Sequence, residues 1–69
     1  MNLLEFTLKK AELKSTSKDV VYVGGLPDFN FTVGKTYTVH KENKNGLIFL
    51  YNDFYKPCLV NIVYFKLIQ

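Results

Sequence analysis

Phe31-Thr32-Val33-Gly34-Lys35-Thr36-Tyr37-Thr38-Val39 is the stretch whose reading decides the fold. Gly34 marks a tight turn, and the residues after it alternate polar and apolar, the period of a strand with one buried face. A strand is expected over 35–41, with Tyr37 and Val39 facing inward and Thr36, Thr38 and His40 facing out. An apolar strand precedes it at 19–23. After it, Glu42-Asn43-Lys44-Asn45-Gly46 turns the chain, and Asn45-Gly46 is a strong hairpin signal. Residues 47–51 return as a strand, Asn52-Asp53 turns again, and 56–60 form the next strand. Pro57 has no N–H to donate, so that strand begins there or lies at an edge. Asn61-Ile62-Val63 fits a single 3₁₀ turn before a last strand over 64–68. Five short strands, tight turns and no long helix predict an all-β chain folded as a small open barrel. Its expected core is Val20, Tyr22, Phe31, Tyr37, Val39, Ile48, Leu50 and Phe65.

The strand at 19–23 is apolar on both faces, which a sheet open to water on one side does not show. The second face therefore needs a cover, and the residues before it are the nearest candidate. Two periods compete there: Leu4, Phe6 and Leu8 alternate as a strand, while Leu4, Leu8 and Ala11 fall at helical spacing. The expectation is an N-terminal extension, residues 1–18, with a strand or short helix over 3–9 and a polar connector over 14–18. It packs on a barrel of residues 19–69.

Sixty-nine residues make one small domain, and its core must be rich in large apolar groups. Six Phe and five Tyr supply them. The one cysteine, Cys58, has no internal disulfide partner and reads as a small buried hydrophobe. No run approaches the length of a membrane span, and the first residues lack the order of a signal peptide, so a cytoplasmic protein is expected. The net charge of +3 is carried by Lys alone, and the absence of Arg weakens a base-reading role.

Catalytic readings fail on inventory. His40 is the one histidine and faces outward, Cys58 lies in a separate apolar run, and the two together are too few for a structural zinc site. The six carboxylates are scattered, and Gly24-Gly25 is a turn rather than a phosphate loop. No enzyme activity, metal or cofactor is expected.

The run Val-Val-Tyr-Val-Gly at 20–24, the opening stretch at 31–39, Tyr-Asn-Asp at 51–53 and Tyr-Phe-Lys-Leu at 64–67 together form a pattern. It resembles the small SH3-like barrel proteins encoded by bacteriophages, over residues 20–68. In that family a Gly soon follows Asn-Asp; here Phe54 and Tyr55 stand in its place, so the turn need not be a tight type I′ hairpin. The resemblance implies an SH3-like open barrel and a binding module aimed at a host protein, in the cytoplasm of a bacterial host. It implies no shared catalytic site and no cofactor.

If Ile48 and Leu50 point inward, Leu47, Phe49 and Tyr51 point out, with Phe54 and Tyr55 crowding the adjoining turn. Phe49, Tyr51, Phe54 and Tyr55 exceed what so small a core can enclose, and are the expected partner-binding surface. Such a surface also suits self-association. The partner expected is a host protein, inhibited or bridged by the module. The alternative is nucleic acid, held by Lys9, Lys10, Lys14 and Lys18 with bases stacked on surface aromatics. Four Lys against two Glu give residues 1–18 a charge of +2; five Lys against four acids give the rest +1. The barrel itself is thus nearly neutral, which favours the protein partner.

Overall fold

The computed structural model describes residues 13–68. They form strands β1 (Lys14–Tyr22), β2 (Thr36–Glu42), β3 (Leu47–Tyr51), β4 (Pro57–Asn61) and β5 (Phe65–Leu67), with a 3₁₀ turn, Ile62–Tyr64, before β5. The strands make one antiparallel sheet in the order β4-β3-β2-β1-β5. The last strand returns to pair with the first, Val20 opposite Leu67 and Tyr22 opposite Phe65. This is the all-β, five-stranded open barrel that the alternation around Tyr37 predicts.

Alternation fixes the core. Val20 and Tyr22 on β1, Tyr37 and Val39 on β2, Ile48 and Leu50 on β3, and Phe65 on β5 are all buried. Val60 on β4 joins them, which the sequence-based core lacks, and Phe31 is only partly buried against the cluster. The rings of Tyr22, Phe31, Tyr37 and Phe65 pack together, with the Phe31 ring edge-on to Tyr37 at 5.1 Å and to Phe65 at 5.3 Å. Buried tyrosines need partners for their hydroxyls. The Tyr22 oxygen accepts from the Leu26 N–H (2.7 Å) and the Tyr37 oxygen from the Thr32 N–H (2.7 Å). Both bonds pin the long loop between β1 and β2 onto the core.

Residues 14–18, expected to be a connector, are the first half of β1. Lys14 pairs with Glu42 and Ser15 with Lys41, and the register slips by one residue between Ser15 and Lys18. The β1–β2 ribbon extends past the core here, so its side chains meet water and carry no apolar alternation. An ion pair between Lys18 and Glu42 and the paired backbone hold it instead. Strand β1 therefore begins at Lys14 rather than at residue 19. Of the strand's second face, Val21 is half-buried and Val23, just beyond β1, is 51% exposed. The strand or helix expected over 3–9, and the cover expected from it, lie outside the described residues. So does the start of the 1–18 extension.

Gly24 and Gly25 form the expected turn, both at positive φ. A Cβ on Gly25 would sit 2.6 Å from the Tyr64 ring, so the position excludes side chains twice over.

Candidate functional site

The two hairpin turns on either side of β3 are built alike. In the first, the Asn43 side-chain oxygen accepts from the N–H groups of Asn45 and Leu47, both at 2.9 Å, and the Asn43 N–H donates to the Leu47 carbonyl. In the second, the Asn52 oxygen accepts from Phe54 (2.9 Å) and Lys56 (3.0 Å), and the Asn52 N–H donates to the Lys56 carbonyl. Both are Asn-capped turns closed by a residue in the left-handed region at the fourth position. There the first has Gly46 at φ 87° and the second has Tyr55 at φ 60°. The turn is not of type I′, since neither Asp53 nor Phe54 has positive φ, and it carries a tyrosine where the first turn has glycine.

Tertiary contacts hold the second turn in that shape. Asn52 is 6% exposed, and its amide donates to the Phe29 carbonyl at 3.0 Å. Every polar group of its side chain is thus engaged, as burial requires. Beside it, the Asp53 N–H donates to the Asn30 carbonyl. The Asp53 carboxylate accepts from Lys35 Nζ (2.8 Å), the Tyr37 hydroxyl (2.7 Å) and Thr32 Oγ1 (2.6 Å). The Lys35 ammonium first, then Thr32 and Tyr37, lower the Asp53 pKa to about 2. The same bond to Asp53 raises that of Lys35, and burial first of all raises that of Tyr37. This clasp joins the 29–35 loop to the β3–β4 turn.

Above the clasp, Tyr51 and Tyr55 flank an open groove of about 240 Å³ that Thr36, Tyr37 and Thr38 also line. Its size is below the roughly 300–1,000 Å³ of a small-molecule site. Of the four aromatics expected to face out, Tyr51 (42%), Phe54 (65%) and Tyr55 (86%) are exposed, and Phe49 is half-buried. Tyr51 ties the group together: the rings of Phe49 and His40 both stand edge-on to it, at 5.5 and 5.3 Å. Phe49 is further screened by Leu59, opposite it on β4. Asn52, Asp53 and the groove escape a reading by residue type. The signal that finds them is the matched spacing of Asn43–Gly46 and Asn52–Tyr55.

Of the lysines named for nucleic acid, Lys14 is exposed at the start of β1, and Lys18 is engaged by Glu42. Lys9 and Lys10 lie outside the described residues. His40 and Cys58 are on opposite faces, His40 against the outward Tyr51 and Cys58 against the core, where burial pushes its thiol pKa up. Among the described residues no three His, Cys, Asp or Glu gather as a metal site, and no helix is long and apolar enough to cross a membrane. No protein-family model, curated protein or solved structure matches the chain.

Proposed function

We propose that the chain is a non-catalytic binding module that docks on another protein through the aromatic end of its β3–β4 hairpin. Tyr51 and Tyr55 border the docking groove, with Phe54 at its tip and Phe49 beneath. The observation that carries this reading is Tyr55: the most exposed aromatic of the described residues stands at φ 60°, where the sister turn has glycine. A bulky side chain in the left-handed region costs about 1–2 kcal/mol, and such strain clusters at binding sites. The ring is 86% exposed and so adds little packing to the described fold. Its use is outside the chain. Aromatic anchors of this kind contribute much of the energy of many interfaces.

The resemblance to phage-encoded barrels adds that the partner is a host protein in the bacterial cytoplasm, which the module inhibits or bridges to another. Affinity capture from bacterial lysate with the tagged chain, beside Tyr55→Gly and Tyr51→Ala, tests the reading. A specific partner retained by the wild type and reduced about tenfold in either variant supports it, a loss near 1.4 kcal/mol. Equal retention by all three sinks it.

A further inference from the structure

Among the described residues β4 and β5 are the two edges of the sheet, and they are guarded differently. β5 is three residues long with Lys66 at its centre, short and charged, as edges that resist pairing are. β4 has five residues and no charge among them, and its one guard is a proline at its first position. Two bonds bracket the β3–β4 ladder and set its phase: Asn52 N–H to the Lys56 carbonyl (3.0 Å) and Ile62 N–H to the Gly46 carbonyl (2.7 Å). By the alternation of antiparallel pairing, Cys58 and Val60 turn their backbone groups toward β3, and Pro57, Leu59 and Asn61 turn theirs toward the open edge. Pro57 therefore stands where its missing N–H leaves the ladder whole. The Leu59 side chain lies opposite Phe49 on the outer face and is 46% exposed.

We propose that this edge pairs with the same edge of a second copy of the chain, antiparallel about a two-fold axis at Leu59. In that register Leu59 exchanges both backbone bonds with its copy, and the Asn61 N–H of each chain reaches the Pro57 carbonyl of the other. Cys58 meets Val60, both inward, so the two cores stay on one side of a continuous sheet. On the outer face the row reads Lys41, Phe49, Leu59 and then the same residues in reverse. Its apolar centre is closed by a lysine at each end. Moving the axis to Val60 sets Leu59 against Asn61 and breaks that row. An isologous contact needs a self-complementary strip, and β4 is one. The Tyr55 turn lies beyond the row, so the pairing stands independently of the docking reading.

Sedimentation equilibrium of the full chain, up to about 1 mM, tests this. The wild type is expected to show a monomer–dimer equilibrium, and Leu59→Lys to raise its dissociation constant at least about tenfold. Unchanged circular dichroism checks that the variant is folded. In a Cys58→Ser background, Leu59→Cys is expected to cross-link dimers on mild oxidation, since hydrogen-bonded partners lie about 5.5 Å apart at Cα, within disulfide reach. Asn61→Cys is expected not to. A wild type that stays monomeric overturns the proposal, as does a Leu59→Lys chain that dimerises equally well or cross-linking that favours Asn61→Cys. A monomer whose Leu59 amide resists hydrogen exchange shows the chain's own residues on that edge, and overturns it too.

Discussion

Between β2 and β3 the chain turns through Asn43-Lys44-Asn45-Gly46, and between β3 and β4 through Asn52-Asp53-Phe54-Tyr55, with the same asparagine bonds in each. The first turn is relaxed by its own sequence. Glycine takes the left-handed position without a Cβ clash. The second is held in the same shape from outside: Asn52 is buried and bonded to Phe29, and Asp53 is gripped by Thr32, Lys35 and Tyr37. A strained residue persists only where its surroundings over-determine the backbone. The extra bonds of the second turn are what let it carry a tyrosine. The comparison thus separates a turn with glycine at its left-handed position from one with an exposed tyrosine there.

The largest effect should come from Asn52→Ala. It removes three part-buried bonds, to the Phe29 carbonyl and from the Phe54 and Lys56 N–H groups, each worth about 0.5–1.5 kcal/mol. Together they are a large share of the total stability of about 3–10 kcal/mol expected at this size, and the variant should show the largest loss in urea titration or thermal melting. Asn43→Ala, the same deletion in the half-buried sister turn, should cost about 1 kcal/mol, lowering Tm by about 4–8 °C. Equal losses in the two variants would erase the distinction between the turns.

Acid should open the second turn selectively. Asp53 has a folded pKa of about 2 against an ordinary 3.8, so its carboxylate favours the folded state above the ordinary value. That contribution declines as pH falls from 3.8 and is gone below about 2. The wild-type Tm should drop across this window more steeply than that of Asp53→Asn, which has no such group to protonate. A carboxyl titration followed by NMR with a midpoint near 3.8 would show that the clasp does not bind the ionised form preferentially. In the first turn, Gly46→Ala should cost about 1–2 kcal/mol. Its Cβ meets Ile62 Cγ2 at 3.4 Å, in addition to the left-handed strain.

How far the sequence discloses this molecule follows from the same contrast. Where one face meets water and the other the core, as at Tyr37-Thr38-Val39 or Ile48-Phe49-Leu50, alternation reads directly as strand and as burial. Asn45-Gly46 likewise announces its turn by composition. The ribbon at 14–18 escapes because both its faces are wet, and pairing there rests on backbone bonds that leave no mark on residue type. The β3–β4 turn escapes for a different reason. Tyr55 contradicts the local rule, and the contacts that overrule it come from Phe29, Thr32 and Lys35, more than ten residues away in sequence. The exposure of Tyr51, Phe54 and Tyr55 was legible in the sequence, but Phe49 is half-buried and the groove beside Tyr55 depends on the clasp and so on tertiary structure.

The smallest effect is the one that bears most on use. Tyr55→Gly removes about 1–2 kcal/mol of left-handed strain and returns about 0.5–1 kcal/mol through the freer unfolded chain. The net is a stabilisation of roughly 0.5–1 kcal/mol, or a few degrees in Tm. Little packing opposes the gain, because the ring is 86% exposed. Tyr55→Ala keeps the strain and loses the ring, so it should gain nothing. A differential melt of the two variants isolates the backbone contribution from the side chain's surface contacts. If Tyr55→Gly melts below the wild type, the ring is holding the turn together and the tyrosine is structural. If it melts above, the chain carries at this position a residue that its own fold would be better without, and the reason for it must be sought in what the turn touches.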